Sequence, residues 1–279
     1  MAEAHTLRLG RQVNWRLWIG ALFLGLYAAI AVFGPLFAPY DPNAQDLLGV
    51  LETPSPVHPM GTDQIGRDIL ARLVVGTRFT LSAALLAVAI SGVAGVTLGL
   101  LAGYSGGRVD AVVTGLLDLL LTIPSLILAI AVASVIGAGM TGLVVATTAS
   151  FVPRLARLIR GRVLEIREED FVLAAVACGT RRARILRRHV LPNALTIVII
   201  ETSLLAGQAV LVGAALGFLG LGVQPPAPEW GTMLGAGREF IEVAPHLVIA
   251  PGLAISLLVF AFNLFGDGLR DHLDPRQNI

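Results

Sequence analysis

Residues 79–104 read FTLSAALLAVAISGVAGVTLGLLAGY, twenty-six positions without a charged side chain. A helix needs roughly 20 apolar residues to cross a bilayer, and this stretch exceeds that. Four more blocks have the same character: no charge falls between Arg16 and Asp41, between Asp118 and Arg154, between Glu201 and Glu229, or between Glu242 and Asp267. Charged residues make up 14% of the 279, and the deficit sits in these blocks instead of being spread along the chain. A soluble domain carries roughly 25%. The pattern is that of an all-α integral membrane protein.

Six transmembrane helices are expected, at about Leu17–Phe37, Phe79–Tyr104, Asp110–Ile136, Met140–Leu158, Ala194–Val223 and His246–Phe265. Trp15, Trp18 and Tyr40 flank the first, where aromatic side chains meet the membrane interface. Its apolar run is too long for a signal peptide, and no small-x-small cleavage site follows, so it reads as a retained helix. Five prolines between Pro39 and Pro59 mark an irregular segment reaching about Thr77. The chain therefore divides into a cytoplasmic segment (1–16), a first helix with an extracytoplasmic loop (17–78), a five-helix core (79–268) containing a cytoplasmic loop (159–192), and a cytoplasmic tail (269–279).

All twenty basic residues are arginine. With the N-terminus inside, sixteen lie on the inner side, and only Arg67, Arg72, Arg78 and Arg238 lie outside. Positive residues concentrate on the cytoplasmic side, so both termini are expected there. The absence of lysine excludes a P-loop, whose lysine holds the β- and γ-phosphates. If ATP drives this protein, another chain binds it. Cys178 is the single cysteine, so no internal disulfide forms. His5, His58, His189, His246 and His272 show no metal-ligand spacing, and no metal site is expected. A net charge of +1 points to no nucleic-acid partner.

The segment Glu165–Pro192 carries the most functional information. Glu168, Glu169 and Asp170 precede the apolar run Phe171–Ala177, as acids do at a helix N-terminus. Gly179 stands where a glycine ends a helix. A basic helix, Arg181–His189, follows and leads to Leu191-Pro192. An apolar helical face presented to the cytosol suits a groove on a partner; the plainer reading is a solvated basic loop that fixes topology.

Ala174-Ala175, Gly179 and Leu191-Pro192 match the "EAA" loop of ABC importer permeases, with Leu173 in place of the usual glutamate and His189 in place of an isoleucine. The string Glu168–Ala175 resembles the peptide and nickel branch, in which that glutamate is commonly lost. His58–Asp68 (HPMGTDQIGRD) resembles the segment before the second helix of dipeptide and oligopeptide permeases. Gly217–Pro226 with Glu229-Trp230-Gly231 resembles the exit of their fifth helix. The resemblance spans about residues 58–275, and the first helix with its proline-rich extension is similar to the C-type subunit of a permease pair.

The resemblance implies a type I ABC importer permease fold with a cytoplasmic coupling helix, in the plasma membrane of a prokaryote. It implies a second homologous permease, two cytoplasmic ATPases carrying ATP and Mg, an extracytoplasmic substrate-binding protein, and a peptide, nickel complex or related small solute. The chain itself would bind no cofactor and catalyse no reaction. Glu168, Glu169, Asp170, Phe171, Ala174, Ala175 and Gly179 would form the ATPase docking surface, with Arg181 and Arg182 pairing with ATPase acids.

Gly95, Gly99 and Gly103 form a small-xxx-small stripe, extended by Ser91, that suits close helix packing within the chain or a gating contact. Ala209, Gly213 and Gly217 repeat the device, and an interface with the second permease is one use for it. Asp118, Glu201 and Asp267 lie within or near spans, where ionisable groups face a cavity or a partner. Asp118 and Glu201, with Gln208 and Asn263, are candidates for the solute path. Asp118 pairing with Arg108, and Glu201 with Arg187 or Arg188, are the structural alternatives. A secondary transporter driven by an ion gradient would require paired midplane acids and an inverted repeat. A membrane enzyme would require a clustered polar constellation. The sequence displays neither.

Overall fold

The computed structural model describes residues 14–273; Arg8, Arg11, Arg276 and the remainder of the expected terminal segments lie outside them. The described residues form helices, with one isolated bridge between Thr62 and Asp68. In chain order the helices are α1 (Trp15–Phe37), α2 (Ile69–Ser105), α3 (Gly107–Leu121), α4 (Ser125–Ile136), α5 (Met140–Arg167), α6 (Asp170–Ala177), α7 (Arg182–Ile185), α8 (Leu191–Phe218), α9 (Trp230–Gly237) and α10 (His246–Leu273). A π-turn at Leu186–Val190 joins α7 to α8 without a break. Helices α1, α2, α5, α7–α8 and α10 are each long and apolar enough to cross a membrane, and α3 with α4, apolar enough only as a pair, forms either a broken sixth span or a re-entrant loop.

That third span is not the continuous helix expected for Asp110–Ile136: α3 and α4 meet at 94°. Pro124 has no amide hydrogen for a helical bond, and it holds an extended backbone (ψ 133°) at the break. The second span starts ten residues earlier than the sequence suggested, which places the boundary of the helical core at 69 and not 79. The cause is Asp68, whose carboxylate accepts from the Ala71 amide at 2.7 Å and caps the helix. The fourth span runs past Leu158 to Arg167, with Pro153 accommodated inside it.

Helix α2 is the central post. A Cβ on Gly95 would lie 2.6 Å from Leu155 Cβ, one on Gly99 2.8 Å from Ile159 Cβ, and one on Gly103 2.9 Å from Val163 Cβ. The glycine stripe therefore lies against α5. Ser91 joins the same seam through bonds to the Ala87 and Thr148 carbonyls. Close backbone approach matters here because lipid is as apolar as leucine, so dispersion between tightly packed helices drives association. Helix α1 packs on α10 at Gly20 and on α2 at Gly34, and most of its other residues are exposed. Helix α4 buries Ala129 and Ala133 against Ala83 and Ala87 of α2, Leu143 and Ala146 of α5, and Leu216 of α8.

The second small-residue row does not form an outward surface. Ala209, Gly213 and Gly217 are buried inside the chain. A Cβ on Gly217 would lie 2.5 Å from a Glu229 carboxylate oxygen, so this glycine makes room for a neighbour within the same fold.

At the end of the bundle where the α1–α2 connection meets α9, charged and aromatic groups are packed together. Arg67 Nε donates to Asp63 at 2.7 Å, and Arg72 lies 3.7 Å from the same carboxylate while donating to the Pro42 carbonyl at 2.8 Å. His58 Nδ1 meets Asp68 at 2.8 Å. Trp230, fully buried, donates its indole hydrogen to the Leu73 carbonyl at 3.0 Å, so the α9 entry is pinned to α2. Glu229 caps α9 by accepting from the Gly231 and Thr232 amides at 2.8 and 2.9 Å and from the Thr232 hydroxyl at 3.0 Å. Burial nevertheless pushes its carboxyl above the ordinary carboxylate range, against the lowering effect of those bonds.

Candidate coupling surface and solute path

Helix α6 hangs below the bundle. Its eight residues follow α5 after a two-residue turn, with Glu169 at the N-cap position and Asp170 in the first turn. It ends through Cys178 and Gly179: the Gly179 amide donates to the Val176 carbonyl at 2.9 Å and the Thr180 amide to the Ala175 carbonyl at 3.1 Å. Gly179 sits at φ +72°, in the left-handed region that other residues enter at a cost of roughly 1–2 kcal/mol.

One side of α6 holds it and the other is open. Val172, 3% exposed, joins a cluster with Ile166, Ile185, Val190 and Ala194. Ala175 packs partly against the same cluster, so it faces the bundle and is not part of the outward surface expected for it. Leu173 (53% exposed), Ala174 and Ala177 form the open side opposite Val172, with Phe171 and Val176 exposed at its two edges. Glu168, Glu169, Asp170, Arg181 and Arg182 rim it, all exposed. The surroundings are braced: Tyr104 donates from the end of α2 to the Arg182 carbonyl at 3.0 Å, and Arg167 reaches the Gly103 carbonyl at 2.7 Å. Phe171 and the His189 ring sit 6.1 Å apart. Val172 and Tyr104, which fix the pose of the helix, were not singled out by sequence; the alternation of Val172 with exposed Phe171 and Leu173 was the available signal.

Within the spans, three acids each meet an arginine of α5. Glu201 Oε1 accepts from Arg154 Nη2 at 2.6 Å, Asp118 lies 3.5 Å from Arg157 Nη1, and Asp110 accepts from Arg160 through both oxygens at 2.5 and 2.7 Å. Neither expected pairing forms: Asp118 meets Arg157 and not Arg108, and Glu201 meets Arg154 and not Arg187 or Arg188. Arg154, Arg157 and Arg160 project from the second half of α5 toward α8 and α3, whereas Arg187 and Arg188 lie exposed at the π-turn, nearly four helical turns before Glu201.

Arg154 also donates to Gln208 Oε1 at 3.2 Å, which gathers two of the four candidate path residues around one guanidinium. Glu201 and Gln208 are seven positions apart and so share a face of α8. Asn263 stays apart, exposed on α10 beside Gly207, and Asp118 belongs to the α3–α5 side. Asp267 is exposed near the inner end of α10. A separate groove of about 700 Å³ between α1, α2, α8 and α10 is lined almost wholly by apolar residues, among them Leu24, Val96, Leu195 and Phe262.

Residues 95–279, more than half of the chain, match the family of binding-protein-dependent transport system inner membrane components. The chain belongs to this family. Residues 14–54 match the N-terminal transmembrane domain of oligopeptide transport permease C. The permease is 42% identical over 259 residues to the dipeptide transport system permease of Alkalihalophilus pseudofirmus, covering 93% of this chain and 85% of that one. It is 43% identical to the glutathione transport system permease of Pectobacterium atrosepticum, covering 91% and 85%. It is 41% identical to the probable D,D-dipeptide transport system permease of Escherichia coli, covering 92% and 86%. Among solved structures, a chain of the MetNI methionine ABC transporter, in inward-facing conformations, superimposes with a TM-score of 0.60 at 22% identity, over 73% of this permease and 96% of that chain. The fold is thus that of an ABC importer permease, and the reading as an ion-gradient-driven transporter is set aside.

Proposed function

We propose that the permease forms one half of a path for small peptides, completed by a second homologous permease and driven by two separate cytoplasmic ATPases. An extracytoplasmic binding protein delivers the solute. The observation that carries this reading is α6: a short helix with one side anchored through Val172 and the other side apolar, open and rimmed by charge. Such a helix fits a cleft on another protein, and its bracing to the ends of α2 and α5 lets a push on it tilt those helices as bodies. The names of the relatives support peptides as the solute class. Both termini, α6 and most arginines then face the cytosol, and ATP and Mg sit on the ATPases alone. Glu201 and Gln208 line the solute path; Asp118 and Asn263 are weaker members of it.

The single cysteine offers a direct test. Cys178 is exposed at the end of α6. In membranes stripped of the ATPases, a membrane-impermeant maleimide should label Cys178 in inside-out vesicles and not in right-side-out ones. Bound ATPase subunits should protect it, and stripping them should restore labelling. Labelling from the external face would overturn both the orientation and the coupling role.

A further inference from the structure

We infer that Arg154 and Glu201, with Gln208, form a charge-paired station in the solute path that receives the two oppositely charged ends of a zwitterionic peptide. The inference rests on the reading of this chain as half of a peptide path.

Depth comes first. Arg154 lies fourteen residues along α5 from Met140, or ~21 Å at 1.5 Å per residue, which is inside the spanning part of the helix. Half of its side-chain surface is exposed, as against 16% for Glu201. A half-exposed guanidinium at that depth is costly against hydrocarbon, so this face looks onto water or protein.

The second point is incomplete satisfaction. Arg160 and Asp110 meet through two bonds, and Thr114 donates to Asp110 as well, so that pair is closed. Arg154 grips only one oxygen of Glu201. Among the described residues, Glu201 Oε2, Arg154 Nε and the Gln208 amide nitrogen make no hydrogen bond. The station therefore has an acceptor and two donors to spare beside a bond that a competitor can replace.

The third point is charge balance. The empty pair is neutral, and so is a zwitterion. A solute carboxylate can take the Arg154 guanidinium from Glu201 while the solute ammonium takes the released Glu201 carboxylate. No uncompensated charge remains before, during or after the exchange, and the arginine side chain is long enough to swing between the two partners. A solute with one charged end breaks the pair and leaves one member unpaired in a low-dielectric setting, which is strongly unfavourable. The station thus favours free peptides over end-blocked ones, without holding them so tightly that release fails.

The test uses the whole complex in proteoliposomes, with its partner permease, ATPases and binding protein. ATP-driven uptake of a free dipeptide is compared with uptake of the same dipeptide blocked at one end only, either N-acetylated or C-amidated, each at saturating binding protein. The binding protein contributes equally to every permease variant, so the change in the free-to-blocked ratio reports the permease alone. Arg154→Gln and Glu201→Gln should each lower that ratio about tenfold, the scale of one lost charge-assisted bond. The double Arg154→Gln/Glu201→Gln variant leaves no lone charge and should assemble normally while transporting without preference. Arg160→Gln, in the closed pair, should leave the ratio unchanged. An unaltered ratio in the double variant, or loss of partner-permease assembly as its only effect, would overturn the station. If the wild-type complex moves no peptide at all, the peptide reading itself has failed.

Discussion

The two ends of this permease carry related information in opposite ways. The end built from His58–Asp68 and Gly217–Gly231, the outer one on the proposed orientation, turns its charged and aromatic side chains inward: Asp63, Arg67, Asp68, Arg72, Glu229 and Trp230 are all buried. The opposite end, built from Glu168–Gly179 and the inner one on the proposed orientation, turns its apolar side chains outward and buries only Val172. Both stretches carried the resemblance to the family, for different physical reasons. At the outer end the residues satisfy one another, so each is constrained by the fold. At the inner end the exposed ones satisfy nothing within the chain, which is what the proposed docking role asks of them. The difference predicts that stability and coupling separate cleanly between the ends.

The largest loss of stability should come from Glu229→Ala. The carboxylate accepts three hydrogen bonds in a site 1% exposed, and removing it leaves the Gly231 and Thr232 donors without partners. The expected cost is about 3 kcal/mol or more, from a lost cap together with unsatisfied buried donors. It should appear as a large drop in the thermal midpoint of the detergent-solubilised complex and in the amount of permease in the membrane. The site also carries a pH signature. A carboxyl whose folded pKa is raised contributes stability that is full below the ordinary carboxylate range and is lost as pH rises through the raised value. Glu229→Gln should flatten that decline. A Glu229→Ala permease with an unchanged midpoint would mean the outer end is not the structural half of the comparison.

How much of this was legible in the sequence follows from the same contrast. Spans declare themselves because lipid tolerates so few charges, and α6 declared itself because Glu169, Asp170 and Gly179 are local signals that act within one turn. The outer knot was not legible: Arg67, Arg72 and Asp63 look like a polar loop until the structure shows them paired across short distances, and that reading hid the start of α2. The break at Pro124 was passed over because the sequence around it stays apolar, so hydropathy continued where the backbone did not. Partner choice failed for Glu201 and Asp118 because sequence proximity favoured Arg187, Arg188 and Arg108, while the fold brings α5 alongside both α3 and α8. Ala175 was placed on the docking side because the motif groups it with Ala174, yet successive helical residues point about 100° apart and only one of them faces out.

A smaller effect belongs to the anchor of α6. Val172→Ala removes two methyl groups from the cluster with Ile166, Ile185 and Val190, at an expected cost of about 1–2 kcal/mol. The cost should fall on the loop and spare the membrane core. Hydrogen exchange over residues 170–178 should accelerate while the exchange of α2 stays as it was. On the proposed coupling role, ATP hydrolysis should persist with fewer solutes moved per ATP. Uniform acceleration across the bundle would show that α6 is part of the core and not an appended lever.

The smallest effect on stability should accompany the sharpest functional one. Leu173 is 53% exposed on the open side of α6, so Leu173→Glu removes little buried surface and should change stability by less than about 0.5 kcal/mol. The new carboxylate would nevertheless sit beside exposed Ala174 and Ala177 on the side of α6 opposite Val172, where a docked partner would exclude water and leave the charge unpaired. Co-purification of the ATPases should fall by at least tenfold and ATP-driven uptake should vanish, with membrane insertion and midpoint unchanged. Ala174→Glu should act in the same direction from the same side. Ala175→Glu, which points toward the bundle, should instead destabilise the loop itself. A Leu173→Glu permease that still carries its ATPases and transports solute would place the energy input elsewhere, and the division between an inward-satisfied end and an outward-presented end would no longer describe this molecule.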